Sequence, residues 1–470
     1  MSQIRHGVNG HPPGPHWWAS WRPLWQWRHD RIAPVARIMR EYGDIAMCQM
    51  GRLHFYFLNH PDLIQECLVT RHRSFKKDRY YDFLRIVLGD GLLGSEGDQH
   101  LRQRRMMQPA FHRQRMQAYG ETMARYAVHH RDKWTDGKQV DMAAEMMELA
   151  LAIVGKTLFN SHLGAEARKV GQALEHILPM DDRYVGPFGE FYRSLPLRAN
   201  RRFNAALRQL DELLFRLIRE HKKSGDVGDL LSMLLLAQDE EDNHHMTEKQ
   251  VRDEALTLFL AGHETTAIAL TWTWYLLSQH LEVEERFQHE LDHVLQGRPP
   301  APADLAKLPY TRCVFAESMR LYPPAYIIGR EATEDTALGG YRVPRGSQII
   351  MCPYVTHRDP RFFPDPERFD PERWRPELVE QRPKFSFFPF GGGNRVCIGE
   401  PFAWMEGVMV LAAIGQKWAP RLMPGHAVEL DPRVTLRPRR GMRMTVHRRE
   451  TSPAGHGDAA QAGQIVQDKV

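Results

Sequence analysis

The stretch Phe390-Gly391-Gly392-Gly393-Asn394-Arg395-Val396-Cys397-Ile398-Gly399 decides how this chain of 470 residues is interpreted. Its glycines let the backbone pass close to a flat ligand with amide hydrogens pointing inward. Cys397 directly precedes an apolar, helix-forming run to about Lys417, and the N-terminal dipole of a helix stabilises a thiolate. Because no second cysteine or histidine stands at metal-binding spacing, the pattern indicates a single thiolate ligand to heme iron.

The same stretch resembles the heme-binding signature of cytochrome P450 enzymes, F-x-x-G-x-R-x-C-x-G. The resemblance runs from the region of His100 to the C-terminal strands. It implies a mainly α fold: one large helical, prism-shaped domain with a small β-rich lobe, and heme b between a long central helix and the helix after the cysteine. It also implies that Cys397 is the axial iron ligand. The other matching residues, expected to contact the cofactor, are Phe390, Gly393, Arg395 and Gly399.

A long helix is predicted over residues 247–278, whose spacing of apolar residues is helical. Thr247 and Gln250 predict a capping box at its start. At 1.5 Å per residue, a helix of about 30 residues would span roughly 45 Å and cross the whole domain. A glycine, a glutamate and two threonines in its middle are locally unfavourable, and such exceptions mark functional sites.

Those residues form the motif Ala261-Gly262-His263-Glu264-Thr265-Thr266. It resembles the family's A-G-x-[D/E]-T-T. The resemblance implies that the small Ala261 lets the helix approach the heme. It also implies that Glu264 and Thr265 are the catalytic acid and alcohol that deliver protons during dioxygen activation.

Glu317 and Arg320 stand three residues apart on a predicted helix that ends before Pro323-Pro324. Alone they would be a surface pair worth about 0.2–0.5 kcal/mol. Together with Arg373 they resemble the family's E-x-x-R and F-x-P-x-R motifs. The resemblance implies a buried network of three charges that holds the loop before Cys397 in place.

His100 and Arg104 lie one helical turn apart. They resemble a W-x-x-x-R motif in which histidine replaces tryptophan. With Arg330 and Arg395, they are expected to neutralise or hydrogen-bond the two heme propionates. The alternative for Arg104 is a solvated basic helix face, and exposed basic residues nearby would favour an acidic electron donor.

Composition predicts a soluble globular protein. Apolar residues make up 42% of the chain and charged residues 26%, and no run approaches the roughly 18 to 20 apolar residues of a membrane span. Lysine and arginine (63) only slightly exceed aspartate and glutamate (58). This basic excess is too small to indicate nucleic-acid binding. Because the five cysteines are scattered and no secretory signal is present, we expect a cytoplasmic location.

We expect one domain over residues 31–449, preceded by a Pro- and Trp-rich segment at 1–30 and followed by a disordered polar tail at 450–470. Five of the eleven tryptophans lie in residues 16–30. Packing onto the fold is the favoured interpretation of this segment, and weak peripheral membrane contact is the alternative.

The finer pattern predicts a succession of elements along the domain. They are a helix at 31–42, a hairpin at 45–58 broken at Gly51-Arg52, a helix opening at Pro61, mostly helices over 100–296, and short strands among prolines over 299–446.

The resemblance implies a substrate pocket built from the loop at 82–93, the long helix, residues 325–328 and the turn at Gly441-Met442. The walls are apolar, so we expect an apolar substrate, terpenoid, steroid-like or fatty acyl, to be hydroxylated or epoxidised with one atom of dioxygen. The expected pocket residues are Phe259, Leu260, Ala325, Ile327 and Met442.

The chain ends soon after the last predicted strand, so electrons are expected from NAD(P)H through separate partners, a ferredoxin or flavodoxin and its reductase. Two alternatives stay open. A peroxide-driven or isomerising heme-thiolate enzyme would need no outside electrons, although such members tend to lack the pair Glu264-Thr265. A heme sensor or carrier would need neither a proton relay nor an apolar pocket.

Overall fold

The computed structural model describes residues 10–15, 30–160, 189–225, 227–237 and 245–449. The tail predicted at 450–470 lies outside the described residues, as does the tryptophan cluster expected within 16–30.

Helices dominate the described residues, and most of the short strands lie before residue 78 or after residue 327. The α-helices are α1 (Ile32–Tyr42), α2 (Pro61–Gln65), α3 (Tyr80–Leu88), α4 (Gly97–Met107), α5 (Arg113–Arg131), α6 (Met142–Phe159), α7 (Gly189–Ser194), α8 (Arg198–Ser224), α9 (Leu230–Leu236), α10 (Glu248–Gln279), α11 (Leu281–Leu295), α12 (Pro309–Leu321), α13 (Pro353–Thr356), α14 (Pro376–Glu380) and α15 (Glu400–Gly415).

The strands build small sheets. They are β1 (Ile45–Met50), β2 (Leu53–Leu58), β3 (Phe75–Lys77), β4 (Lys138–Asp141), β5 (Ile328–Ala332), β6 (Thr336–Leu338), β7 (Tyr341–Val343), β8 (Gln348–Met351), β9 (Trp418–Leu422), β10 (Leu430–Pro432), β11 (Leu436–Pro438) and β12 (Arg443–Arg448). One sheet has the order β1-β2-β8-β5-β3, a second the order β4-β12-β9, and β6-β7 and β10-β11 are two-stranded. The mainly α fold with a small β-rich lobe is therefore confirmed.

Local sequence signals account for several boundaries. Thr247 caps α10, and its side chain and that of Gln250 form the predicted capping box. The helix at 31–42 and the hairpin broken at Gly51-Arg52 are present as expected. The segment expected to be a loop at 82–93 is wrong in its first half, because Tyr80–Leu88 is helical and buries Phe83, Leu84, Val87 and Leu88 on one face.

The central helix α10 contains 32 residues, about 48 Å of helix, and packs against α6, α8, α12 and β9. The core around it continues into α15, which is apolar over most of its length. These two helices carry the two strongest motifs, so their packing fixes the functional region. Among the described residues, no helix combines the length and apolarity of a membrane span.

Candidate heme-thiolate site

The loop before α15 folds back on itself around Cys397. The N–H of Cys397 donates to the carbonyl oxygen of Phe390 at 3.0 Å, and the N–H of Val396 donates to that of Gly393 at 3.2 Å. The N–H groups of Gly399 and Glu400 at the start of α15 hydrogen-bond the sulfur and favour its thiolate, whereas desolvation by the surrounding loop is the largest effect and raises the pKa of the thiol. Cys397 is nevertheless exposed, so its sulfur is accessible to a ligand. Two amides and a helix N-terminus aimed at one sulfur suit a metal-bound thiolate.

Gly393 is the position where this loop requires glycine. Its φ is +68°, and a Cβ atom there would lie 2.0 Å from the carbonyl oxygen of Leu68. Leu68 belongs to the π-helical turn Glu66–Thr70. The loop therefore sits directly on the backbone of this turn, which no larger residue would permit.

Arg104 lies against the cysteine loop, which itself contains Arg395. The guanidinium of Arg104 donates to the carbonyl oxygen of Val396 at 2.7 Å. Arg395 forms a two-pronged ion pair with Glu96, with one N···O distance of 2.6 Å. Arg104 is thus anchored on the residue before Cys397. Arg395 lies two residues before Cys397 and is anchored on Glu96.

Arg330 reaches the same region through the sheet, because β5 pairs with β3 so that Arg330 lies opposite Lys77. Arg330 is buried. Lys77 is also buried, and burial, opposed by Glu96 and reinforced by the two neighbouring arginines Arg395 and Arg330, lowers its pKa to about 7. Sequence reasoning missed Lys77, whose only signal is a basic residue at the end of a short strand.

His100 belongs to the same cluster, but it does not carry the positive charge that would neutralise a propionate. Burial first, then the cations Lys77, Arg395 and Arg104, lower its pKa to about 4. It is therefore neutral at pH 7, so of the two expected roles only hydrogen bonding remains open to it.

The charges of this cluster fit heme. Three arginines and Lys77 lie here around the carboxylates of Asp78 and Glu96, and a basic cluster of this kind suits the negatively charged propionates. The arginines are Arg104, Arg330 and Arg395, and a pKa of about 7 leaves Lys77 only partly charged at neutral pH. With Cys397 as a sulfur donor, the donor set matches a heme held by one thiolate and a basic cluster.

The predicted charge network behind the loop is confirmed. Arg320 binds Glu317 through two hydrogen bonds of 2.8 Å, and both side chains are completely buried. Arg373 lies 3.3 Å from the same carboxylate. Trp374 and the N–H of Asp370 also donate to it, at 2.9 and 3.0 Å. A buried carboxylate with this many hydrogen-bond donors is fixed in place.

This network is connected to the cysteine loop through a histidine that the sequence did not reveal. Arg320 donates to the carbonyl oxygen of His357 at 2.9 Å. The imidazole of His357 accepts from the N–H of Phe388 at 2.9 Å. Burial, the largest effect, lowers the pKa of His357 well below its ordinary value, so the ring is neutral and can accept. Phe388 begins the turn into the loop, which links Arg320 to the segment that carries Cys397.

On α10, the motif residues point in different directions. Ala261 is exposed and Thr265 is partly exposed, although the residues around them are buried. The Thr265 hydroxyl donates to the carbonyl oxygen of Ala261 at 2.8 Å. Gly262 instead faces α6, where a Cβ atom would lie 3.2 Å from Val154. Ala261 and Thr265 are thus on the accessible side of the helix.

Glu264 points to a part of the chain that the sequence motif did not indicate. Its carboxylate accepts from the Thr435 hydroxyl at 2.5 Å and from Nε of Arg437 at 2.9 Å. Both partners lie at β11, in the hairpin β10–β11. The Glu264 side chain is 3% exposed and that of Arg437 is 28% exposed. The buried Glu264 carboxylate is therefore separated from solvent only by its ion-pair partner Arg437.

The C-terminal part of the chain contacts two different helices. Met442 is completely buried, and its N–H donates to Asp141 at 2.8 Å. A Cβ atom on Gly441 would meet the same carboxylate. The turn Gly441-Met442 thus packs on the start of α6, whereas Thr435 and Arg437 reach α10. The pocket role of Met442 stays a prediction.

Two further expected pocket residues have clear packing partners. Phe259 is buried with its ring centroid 5.8 Å from that of Phe159 on α6. Ile327 packs against the cluster formed by α1, β1 and β2, whereas a Cβ atom on Gly391 would lie 3.9 Å from Ile328. The side chain beside the cysteine loop is therefore Ile328, and the pocket roles of Phe259 and Ile327 stay predictions.

The remaining expected pocket residues, Leu260 and Ala325, are buried and partly buried, and their pocket roles stay predictions. The loop after α3 is tied to α10: Asp253 and Glu254 accept from the N–H groups of Asp90 and Leu92, at 3.0 and 2.8 Å. Burial, the largest effect, raises the pKa of Glu254 to about 8.

These features define a class of protein: a helical body in which one cysteine thiolate and a basic cluster hold heme. A family model described as Cytochrome P450 matches residues 12–443, and the chain belongs to this family. Its cofactor is heme with the cysteine thiolate as iron ligand, and its electrons derive from NAD(P)H through partner proteins.

Named relatives are similar over most of the chain. Cyclooctatin synthase of Streptomyces melanosporofaciens is 40% identical over 402 residues, 84% of this chain and 87% of the relative. Cyclooctat-9-en-7-ol 5-monooxygenase of the same organism is 37% identical over 82% of this chain and 84% of its own length. Pentalenene oxygenase of Streptomyces avermitilis is 34% identical over 84% and 87%. The chain is an oxygenating oxidoreductase.

Proposed function

We propose that this protein inserts one atom of dioxygen into a C–H or C=C bond of a cyclic terpenoid, with electrons from a separate ferredoxin or flavodoxin and its reductase. The observation that carries the reaction class is the sulfur of Cys397, which receives two amide hydrogen bonds at the start of α15. The terpenoid substrate is supported by the names of two relatives, a cyclooctat-9-en-7-ol 5-monooxygenase and a pentalenene oxygenase.

The cofactor would be held from two sides of the chain. Cys397 would bind the iron, and Lys77, Arg104, Arg330 and Arg395 would bind the propionates, with His100 as a neutral hydrogen-bond donor. The chemistry that bound heme supplies here is activation of dioxygen with two electrons and two protons.

Thr265 and Glu264 would handle the protons. The Thr265 hydroxyl lies on the accessible side of α10 and donates to Ala261; exchanging this acceptor frees its proton for the reaction. Glu264 is paired with Arg437, whose side chain reaches solvent. This arrangement gives the carboxylate a route for reprotonation through the hairpin β10–β11 while water is kept from the rest of the buried site.

The test is substrate binding followed by turnover. The oxidised holoprotein is titrated with a cyclic diterpene alcohol, a cyclic sesquiterpene hydrocarbon, a sterol and a fatty acid, and the heme absorption spectrum is recorded. Turnover with NADPH, ferredoxin reductase and ferredoxin is then run under ¹⁸O₂. We expect a spectral shift with a cyclic terpenoid and a product that carries one ¹⁸O atom.

Two results would contradict the proposal. A spectral shift and turnover confined to the fatty acid or the sterol would refute the substrate class. A product without ¹⁸O, or formed equally well with peroxide and no reductase, would refute the monooxygenase assignment in favour of a peroxide-driven enzyme.

A further inference from the structure

Glu96 occupies an unusual place for the residue at the start of a helix. It is the N-cap of α4, yet its side chain makes no capping hydrogen bond. Acidic N-cap residues ordinarily accept from the free N–H groups of the first helical turn. The Glu96 carboxylate is instead turned away from its own helix, toward Arg395 and β3.

Three segments meet at this carboxylate. Arg395, from the cysteine loop, binds it with both terminal nitrogens. The N–H of Lys77, the last residue of β3, donates to Oε1 at 2.8 Å. The helix α4 that Glu96 opens carries His100 and Arg104. Each of these segments thus supplies at least one member of the basic cluster.

The ionised form of Glu96 is the one that these contacts favour. Burial raises the pKa of Glu96, but the hydrogen bonds from Arg395 and from the Lys77 N–H outweigh it, and the pKa lies below its ordinary value. The side chain is 33% exposed and that of Arg395 is 11% exposed. The ionised Glu96 carboxylate is therefore held beside Arg395, which lies two residues before the iron ligand Cys397.

The pairing leaves Arg395 able to bind a second anion. A guanidinium has five N–H donors in a fixed plane, and the fork with Glu96 uses two of them. Three remain for a propionate. A rigid fork also removes the rotamer freedom that Arg395 would otherwise lose on binding the cofactor.

We propose that Glu96 is a positioning residue of the cofactor site, which fixes Arg395 for a heme propionate and keeps one negative charge near the iron. This inference rests on the proposed propionate role of Arg395. It assigns to Glu96 both retention of the cofactor and part of the control of the reduction potential, because a nearby negative charge disfavours addition of an electron.

The first experiment measures the rate at which holoprotein loses heme to excess apomyoglobin. Glu96→Gln keeps the shape of the side chain but cannot hold a two-pronged ion pair. We expect about tenfold faster heme loss, the lower end of what losing a partner of a cofactor ligand costs. Asp98→Asn removes the same charge from an exposed position two residues along, and its heme loss should stay at the wild-type rate.

The second experiment measures the midpoint potential of the iron by spectroelectrochemistry. Glu96→Gln should shift it to a more positive value and Asp98→Asn should not. Glu96→Asp restores the charge and should bring the potential back toward that of the wild type. A residue that merely supported the fold would not show this pattern of rescue.

A double mutant separates this inference from the assignment on which it rests. Arg395→Gln alone should accelerate heme loss, and adding Glu96→Gln to it should have little further effect, because the two side chains act as a unit. If Arg395→Gln leaves heme loss unchanged, the propionate role of Arg395 fails. If Arg395→Gln accelerates it but Glu96→Gln slows it, leaves it unchanged or acts independently, only the role of Glu96 is overturned.

Discussion

The two sides of the functional region hold their buried carboxylates in different ways. Behind the cysteine loop, Glu317 is completely buried and receives hydrogen bonds from Arg320, Trp374 and the backbone of Asp370. On α10, Glu264 depends on the hairpin β10–β11, and its cationic partner Arg437 is 28% exposed. The first arrangement cannot change without uncovering a charge, whereas the second can exchange partners with water.

This difference suggests a division of labour. The side of the cysteine is built to keep the iron ligand still, so changes there should remove the cofactor or destabilise the fold. If the α10 side moves protons and holds the substrate, as proposed above, changes there should alter turnover and leave the heme in place. Variants on the two sides should therefore differ in whether they lose heme, stability or coupling.

The largest effect is expected for Cys397→Ser. A hydroxyl group is not an effective thiolate substitute, so the thiolate-type absorption band of the reduced carbon monoxide complex should disappear. Cys313→Ser is the matched control, because Cys313 is a partly buried cysteine on α12, and its band should be unchanged. A retained band in Cys397→Ser would remove the iron-ligand assignment.

The next largest effect is expected for Glu317→Ala. Removing one partner of a buried charge network strands Arg320 and Arg373, which should cost about 3–5 kcal/mol of the free energy of unfolding. Glu367→Ala is the control, since Glu367 is 75% exposed in its ion pair with Arg358 and should cost less than about 1 kcal/mol. Denaturant unfolding measures both. Equal losses in the two variants would mean that the network does not stabilise the cysteine side.

The sequence motifs predict most of the cysteine side of the molecule, because the residues of each motif lie close together in the chain or have fixed spacing. Glu317 and Arg320 are one helical turn apart, and Cys397 follows its glycine loop directly. The network is accordingly found as predicted. The N-terminal cap of α10 at Thr247 was also predictable from the sequence, because a capping box is a local pattern.

The α10 side was predicted less well because its contacts are non-local. Glu264 and Arg437 are 173 residues apart, and no local pattern indicates which turn of the C-terminal strands will reach the helix. Ile327 and Ile328 are neighbours in the chain, yet they pack against different clusters, and no local pattern indicates which of them lies beside the cysteine loop. Glu96 stands just before a helix, and nothing in the local sequence indicates that it contacts Arg395. Only the tertiary structure shows this contact.

A pH effect of intermediate size is expected from Glu254, which ties Leu92 to α10. Its pKa is about 8 in the folded protein against 4.5 in the unfolded chain. Between these values the folded state binds the extra proton, so stability falls as pH rises from 5 to 8, by roughly 2–4 kcal/mol. Unfolding of Glu254→Gln should lose this slope, because the amide does not titrate.

The control for that measurement is Glu282→Gln, at an exposed position at the start of α11. Its pH profile should match the wild type. A Glu254→Gln profile as steep as that of the wild type would show that another group causes the dependence, such as Asp78, whose pKa burial raises to about 6.

The smallest effect on the protein itself is expected for Thr265→Ala. Heme content and substrate binding should be unchanged, while a several-fold larger share of the electrons should go to hydrogen peroxide, because the proton-delivering hydroxyl is lost. Thr271→Ala is a close control: its hydroxyl makes the same bond to a carbonyl four residues earlier on α10, at 2.7 Å. Equal coupling of electron use to product in wild type and Thr265→Ala would refute the role of Thr265.

The claim on which both halves of the comparison depend is that the sulfur of Cys397 binds the iron. X-ray absorption at the iron edge of the purified holoprotein measures this directly. We expect one sulfur atom among the nearest neighbours of the iron in the wild type and none in Cys397→Ser. A sulfur neighbour that persists in Cys397→Ser, or a wild-type iron surrounded only by nitrogen and oxygen, would contradict it.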